Sequence, residues 1–244
     1  MSRVFADMHL CPNLKDMEQV ERMIKKASEL GYRLIAITLP QDFGKDKTQK
    51  LRSMCREVNL DFVSRLDLKP KTPRDLVINL RKLRRKFEII SVMCESKNVA
   101  RQAAKDNRVD ILNFPSTDPR KRFFDKAEAE LASKSLVSLE IDIRLLLLLE
   151  GLARIRLLSL LRKEVAIAKG FHIPIILSSG AKEELLMRKP RETAALASLF
   201  DMDKALAIEA VSKNPLVVVK RNREKLGPNF VAPGIRVIRE GNDC

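Results

Sequence analysis

Short apolar runs alternate with helix-length amphipathic segments along most of this chain, and that alternation narrows the fold more than any other feature. The runs read as strands at residues 3–9, 34–39 (LIAITL), 61–66, 88–94 (EIISVMC), 109–114 (VDILNF), 136–143 and 173–177. The run at 34–39 is apolar without a polar alternate, the pattern of a strand covered on both faces. Helical periods lie between the runs. Residues 16–30 place Met17, Val20, Ile24 and Ala27 on one face, and Gly31 stands where a glycine ends a helix. Further helices are expected at 47–57, from Thr72 to Phe87, at 98–106 and at 124–132. The longest spans 145–169, with a kink near Gly151.

Such alternation implies parallel βαβ units. Seven short strands suggest an α/β chain folded as a distorted TIM-like (β/α) barrel rather than an open sheet. One domain over 1–244 is expected, with 227–244 as a C-terminal tail. No GxGxxG follows any strand, which leaves a dinucleotide site without support. Residues 215–225 (PLVVVKRNREK) read as a helix, with Asn214 as cap and Pro215 at the first helical position. Residues 231–238 form either an edge strand or a loop.

The net charge of +15 and a pI near 9.9 call for a polyanionic partner. A membrane is excluded on this reading. The longest apolar run, 145–149, is bounded by Arg144 and Glu150 and falls far short of the roughly 20 residues a span needs. The N-terminus lacks the architecture of a signal peptide. Nucleic acid is therefore favoured. With ten Phe, one Tyr and no Trp, a platform that stacks unpaired bases is disfavoured against contacts to phosphate and shape. The four cysteines form no CxxC pair, so neither a zinc knuckle nor a disulfide framework is indicated, and a reducing, cytoplasmic compartment is the simple inference.

In a barrel of this kind function sits at the C-terminal ends of the strands. Basic residues gather near several of those ends. Arg65, Lys69 and Lys71 belong to the third strand and its loop, and Arg74 follows on the next helix. Arg120, Lys121 and Arg122 follow the fifth strand, and Arg144 the sixth. Ser178, Ser179 and Lys182 follow the seventh, with Arg188 and Arg191 beyond. The turn 178–181 (SSGA) is small and polar, and at a helix N-terminus it would favour a phosphate. These thirteen residues are the candidate RNA contacts. The helix after Thr72 adds a charge pattern. Leu76, Leu80, Leu83 and Phe87 form one stripe with Arg74, Arg81 and Arg85 opposite. Residues 69–86 hold eight basic side chains against one acidic, Asp75, so this face is positive rather than neutral.

Catalytic groups are harder to find. Asp7-Met8-His9-Leu10-Cys11 resembles a truncated D-x-H-x-H, the metal-binding opening of the polymerase-and-histidinol-phosphatase (PHP) phosphoesterases, a family of seven-stranded distorted barrels. The second histidine is Cys11 here. The other histidine, His172, precedes the seventh strand and so belongs to the opposite face. Two histidines so placed cannot build a polynuclear metal centre. His9 is expected as a hydrogen-bonded residue of the barrel mouth. No catalytic residue, metal ligand or bound cofactor is assigned, and a PHP-like phosphoesterase with a degenerate site remains the alternative.

Three longer segments, 175–181 (IILSSGA), 191–202 (RETAALASLFDM) and 207–225 (AIEAVSKNPLVVVKRNREK), carry a more specific resemblance. In content, order and spacing they are similar to the barrel-shaped protein subunit of archaeal and eukaryotic ribonuclease P. The turn Phe124-Asp125-Lys126, with Glu128 and Leu131, and the strand VSLEIDI at 137–143 agree. The five-leucine run at 145–149 departs from that pattern. The resemblance implies a non-catalytic role, in which the ribonuclease P RNA, with its own Mg2+, removes the 5′ leader of precursor tRNA. The protein would hold that RNA in shape and pair with a small α/β subunit among the other ribonuclease P proteins. It also implies that the first strand is a metal-free relative of the phosphoesterase opening.

Overall fold

A computed structural model of the chain describes residues 3–232 and 235–236. Its first half alternates β1 (Ala6–Leu10), α1 (Met17–Glu29), β2 (Leu34–Thr38), α2 (Lys45–Glu57), β3 (Asp61–Leu68), α3 (Pro73–Leu83), β4 (Ile89–Met93) and α4 (Lys97–Lys105). The second half continues with β5 (Ile111–Asn113), α5 (Lys126–Ser133), β6 (Ser138–Asp142), α6 (Arg144–Leu148), α7 (Gly151–Gly170) and β7 (Ile175–Ser178). After these come α8 (Pro190–Leu196), α9 (Lys204–Ala210), α10 (Lys213–Leu226), β8 (Phe230–Ala232) and β9 (Ile235–Arg236). All seven expected strands are present. They pair in parallel in sequence order, from β1 to β7.

The sheet curls until β1 and β7 nearly meet, and side chains close the seam. One backbone bridge joins Leu10 to Ala181, with Cys11 N–H donating to the Ala181 carbonyl at 2.8 Å. Beside it the Ser179 N–H donates 3.0 Å to Asp7 Oδ1, so a carboxylate does the work of a missing strand partner. At the opposite end Ala6 N–H reaches the Val211 carbonyl.

Register decides what lines the interior. The pairs Ala36–Val63, Arg65–Ile89, Ile111–Ser138 and Glu140–Ile176 place these residues on one face of the sheet. The lower layer is apolar, with Met8, Leu34, Val63, Ile89, Ile111 and Ile176. The upper layer is charged. The outward faces, including Ile37, Phe62, Ile90, Leu112 and Leu139, pack under the helices in the larger core. In α3 the expected stripe is buried at Leu76, Leu80 and Leu83, and Arg74, Arg81 and Arg85 are exposed. A Thr72–Asp75 capping box starts that helix behind Pro73. Gly31 follows α1 at φ +93°, a conformation that an L side chain resists.

No eighth barrel strand is present among the described residues. The segment 215–225 is helical, as its sequence indicates, and α10 plugs the lower end by setting Val218 and Val219 against the apolar layer. Its cap differs from the expectation. The helix begins at Lys213, and Asn214 turns inward to donate to the Ile175 carbonyl at 2.8 Å. Arginines from α10 then tie down the lower strand ends. Arg223 holds both Asp61 oxygens and Glu88, and Arg221 holds Asp110. Arg84, just past α3, takes the other Asp110 oxygen at 2.8 Å.

The expected helix of 145–169 is two helices rather than one with a kink, because Leu149 and Glu150 are extended between α6 and α7. In the tail, β8 and β9 form a small antiparallel pair, which covers part of the segment 231–238. Residues 233, 234 and 237–244 lie outside the described residues.

Arg223 is the principal tie between α10 and the strand ends, and Glu88, its partner at 2.7 Å, is 8% exposed. Replacing Arg223 by Met removes the partner of Glu88 Oε1, while Oε2 keeps the Ser64 N–H at 2.9 Å and Arg52. Arg223→Met is expected to lower stability by about 2 kcal/mol, less than a fully buried pair would because the arginine is half-exposed. Urea unfolding of the variant against wild type measures the difference.

Candidate functional site at the barrel mouth

The charged upper layer is built from alternate residues of three strands. Arg65 and Asp67 come from β3, Asn113 from β5, and Glu140 and Asp142 from β6. Ser178 ends β7, and His9 joins them from β1, where a bulge between Asp7 and Leu10 shifts the register. Arg65 lies at the centre with no exposed surface. Its guanidinium forks onto Glu140 through two bonds of 2.6 Å and donates from Nε to Asp67 at 2.7 Å. A further N–H reaches the Met8 carbonyl. Glu140 also accepts from Ser178 Oγ at 2.7 Å and from Asn113 Nδ2 at 2.8 Å.

His9 lies above this pair. Nδ1 is 2.8 Å from Asp142 Oδ1, and Nε2 is 3.0 Å from Asp67 Oδ2. Ionised carboxylates only accept, so both ring nitrogens must donate and the ring is an imidazolium. Burial and the Arg65 charge oppose that state, but Asp142 and Asp67 outweigh them and hold the His9 pKa well above its ordinary value. Burial likewise pushes Asp67 and Asp142 up, yet the Arg65 and His9 charges bring both below the usual carboxylate range. Asp7 is the exception. Burial raises its pKa, and its Oδ2 has no hydrogen-bond partner. Gly180, at φ +62°, passes close to Asp142, and a Cβ there would meet the Asp142 carboxyl carbon at 3.0 Å.

Each charged group of this cluster is held by a partner of opposite charge. A histidine between two carboxylates is a held cation and not a base. Two groups of side chains come close enough to share an ion, His9 with Cys11 and Asp67, and His9 with Glu140 and Asp142. Neither fits a metal as it stands. The imidazole nitrogens are already spent as donors, Glu140 carries four bonds, and a guanidinium occupies the space among the oxygens. His172 is exposed below β7, on the opposite face.

The thirteen candidates separate by burial. Four are corrected. Arg65 is sealed inside the barrel, and Ser178 and Ser179 are spent on Glu140 and on the β1–β7 seam. Arg122 is buried against Glu164, with NH2 at 2.8 Å and another N–H on the Phe114 carbonyl. All four side chains are buried and bonded within the protein. The turn 178–181 also stands at no helix N-terminus. It leads back into the seam and on toward a 3-10 turn at Glu184–Leu186.

The other nine keep access to solvent. Lys69, Arg144 and Lys182 border a cleft of about 610 Å³ over His9, Asp67 and Asp142, with Glu95 also on its border. Lys71 and Arg74 are exposed after β3, and Arg120 and Lys121 are exposed in the turn after β5. Arg188 and Arg191 lie apart from this rim. Arg188 bonds the Leu185 and Met187 carbonyls, and Arg191 borders a separate groove with Arg3 and Lys204.

Asp67, Asn113, Glu140 and Asp142 belong to the site although no motif marks them in the sequence. Their signal was present: SRLD in β3 and LEID in β6 carry charges two apart inside apolar strands, which sets both on one face.

A family model described as RNase P subunit p30 matches residues 4–226. Ribonuclease P protein component 3 of Methanosarcina barkeri is 32% identical over 224 residues, 91% of each chain. The protein of the same name from Methanothermobacter thermautotrophicus is 27% identical over 97% of this chain and 96% of its own. Among solved structures, a chain of an archaeal ribonuclease P with mature tRNA superposes with a TM-score of 0.84 at 23% identity. It covers 97% of this chain and 100% of its own length. A putative prolidase from Bifidobacterium longum reaches 0.58 at 9% identity, over 90% of this chain and 70% of its own, and shares the fold alone.

The shifted groups fix how stability follows pH. His9 has a raised folded pKa, so its contribution is complete below the ordinary histidine value and is lost as pH climbs through the raised one. Asp67 and Asp142, with lowered folded values, lose theirs as pH falls from the ordinary carboxylate range. Wild-type stability is expected to decline on both sides of a plateau near neutrality. His9→Gln should lower that plateau by about 3 kcal/mol, as a buried pair broken on one side does, and should flatten the alkaline limb. Denaturant unfolding between about pH 2 and about pH 10, which spans the carboxylate and histidine windows, reads both effects.

Proposed function

The chain belongs to the RNase P subunit p30 family, and from that membership we propose that it serves as the barrel subunit of ribonuclease P. In this role it binds the particle's RNA and holds it in the shape that removes the 5′ leader of precursor tRNA. The family match over residues 4–226 carries the reading. The site chemistry supports it from another side. Among the described residues the mouth offers an imidazolium and saturated carboxylates, with no base beside a nucleophile, which supports a reading in which the RNA and its bound Mg2+ supply the reactive groups. The protein's share is charge. Lys69, Lys71, Arg74, Arg120, Lys121, Arg144 and Lys182 stand exposed or half-exposed on one end of the barrel, and they screen phosphates that would otherwise repel.

A small α/β subunit and the other ribonuclease P proteins complete the particle. No helix among the described residues is long and apolar enough to cross a membrane, and the proposed work on precursor tRNA places the particle in the cytoplasm. A PHP-like phosphoesterase is disfavoured because Arg65 and its partners occupy the place a metal centre would need.

Reconstitution from purified RNA and proteins tests this reading. Adding the chain should lower the Mg2+ concentration needed for precursor-tRNA cleavage, and the chain alone should cleave nothing. Cleavage that is indifferent to the chain at every Mg2+ concentration contradicts it. Replacing Lys69, Arg144 and Lys182 together by Ala should weaken RNA binding uniformly across sequences. The slope of log K against log salt should fall by roughly one per cation removed. An unchanged slope would take these three off the RNA.

A further inference from the structure

Leu146 is buried and Leu145, Leu147 and Leu149 pack partly against the core, but the outer face of α6 and α7 is covered by neither the barrel nor the basic rim of the mouth. Helix α7 buries Leu157, Leu161, Val165 and Ala168 toward the barrel. At 100° per residue the opposite face carries Leu152 and Ile155 with Arg156 and Lys163 beside them. Leu152 is 70% exposed and Ile155 is 62% exposed, and Leu148, at the end of α6, is 53% exposed. Leu199, whose carbonyl accepts from Arg162 of α7, is also exposed. Isolated exposed leucines are ordinary, but four large aliphatic side chains along one helix and its neighbours are not.

We propose that this face of α6 and α7 is the docking surface for another protein subunit of the particle. Its occupant would be a helix with aliphatic side chains on one face and carboxylates flanking them. The inference rests on the ribonuclease P reading and adds to it the place and chemistry of a protein contact. Charge selects the occupant. The side chains of Arg156 and Lys163 have no hydrogen-bond or ion-pair partner among the described residues, whereas Arg154 is used on the Leu149 carbonyl and Arg162 on Asp201. Unpaired cations around an apolar centre favour an acidic rim on the partner. A second copy of this chain would bring the same cations face to face. RNA could use the cations, but it would leave the aliphatic centre without a partner.

The test uses the full-length chain and each other protein subunit of the same organism's ribonuclease P, titrated singly by calorimetry. One subunit should bind wild type. Leu152→Glu with Ile155→Glu should weaken that binding by at least about 30-fold, the scale of an interface hot spot. Both side chains are exposed, so the melting temperature should hold, and affinity for the RNA should be unchanged. Arg156→Glu with Lys163→Glu should weaken the same subunit's binding without touching the apolar centre. The proposal is overturned if no subunit binds wild type, or if both variants bind as wild type does. It is also overturned if the variants lose RNA in place of protein, or if wild type forms a dimer that the leucine variant abolishes. Failure of wild type to support precursor-tRNA cleavage in the reconstituted particle would overturn the ribonuclease P reading itself. Full cleavage with wild type, together with unimpaired variants, would remove only this surface.

Discussion

The buried fork between Arg65 and Glu140 is the interaction on which the upper half of the barrel depends. Both side chains have no exposure, and each would be costly inside a protein without the other. Together they tie β3 to β6 across the barrel interior, and the Met8 carbonyl brings in β1. The remaining polar groups then fall into place. Asp67 orients the guanidinium and His9 from its two oxygens, Asn113 joins Glu140 to Asp142, and Ser178 anchors β7. Two cations, Arg65 and His9, stand against three carboxylates, so the cluster is nearly neutral without any ion from solution.

That internal compensation leaves the charged groups at the mouth with fixed partners. Catalysis needs groups poised to change their protonation or ligands, and here each group is fixed by a partner of opposite charge. A barrel mouth whose polar side chains are spent on one another is a rigid platform. Its remaining chemistry lies at the rim, where Lys69, Arg144 and Lys182 face solvent. The lower end follows a different plan. There Asp61, Glu88 and Asp110 at the strand starts are met by Arg84, Arg221 and Arg223, so part of the chain's positive charge is spent on closing the fold. At the other end the side chains of Lys69, Lys71, Arg120, Lys121 and Lys182 stand exposed on the loops after the strands.

Much of the architecture was legible in the chain. Residues 34–39 and 88–94 are too apolar for anything but buried strands, and the stripes in 16–30 and 72–87 allow only helices against a core. Gly31 marks a helix end because few other residues adopt its backbone conformation. The resemblance in 175–181, 191–202 and 207–225 was equally legible, because it depends on residue order and not on where a side chain points. The candidate site was legible only in part. Lys69 and Arg65 are four residues apart in one strand and its loop, yet one faces solvent and the other is sealed inside. Charge is visible in a sequence, but its partner is not.

The sequence by itself determined the strand–helix rhythm, the surplus of positive charge, the absence of a histidine-rich metal set and the membership in a family. These are local or compositional properties, and each residue carries its share of them independently of distant neighbours. Only the tertiary structure decided which cations are free. Arg65 meets Glu140 across 75 residues of chain, Arg122 meets Glu164 across 42, and Arg223 meets Asp61 across 162. Such pairs are set by strand register, barrel closure and the way α10 plugs the lower end. A charge becomes structural or functional according to what those long-range contacts bring within about 3 Å of it, the distance of a charge-assisted hydrogen bond.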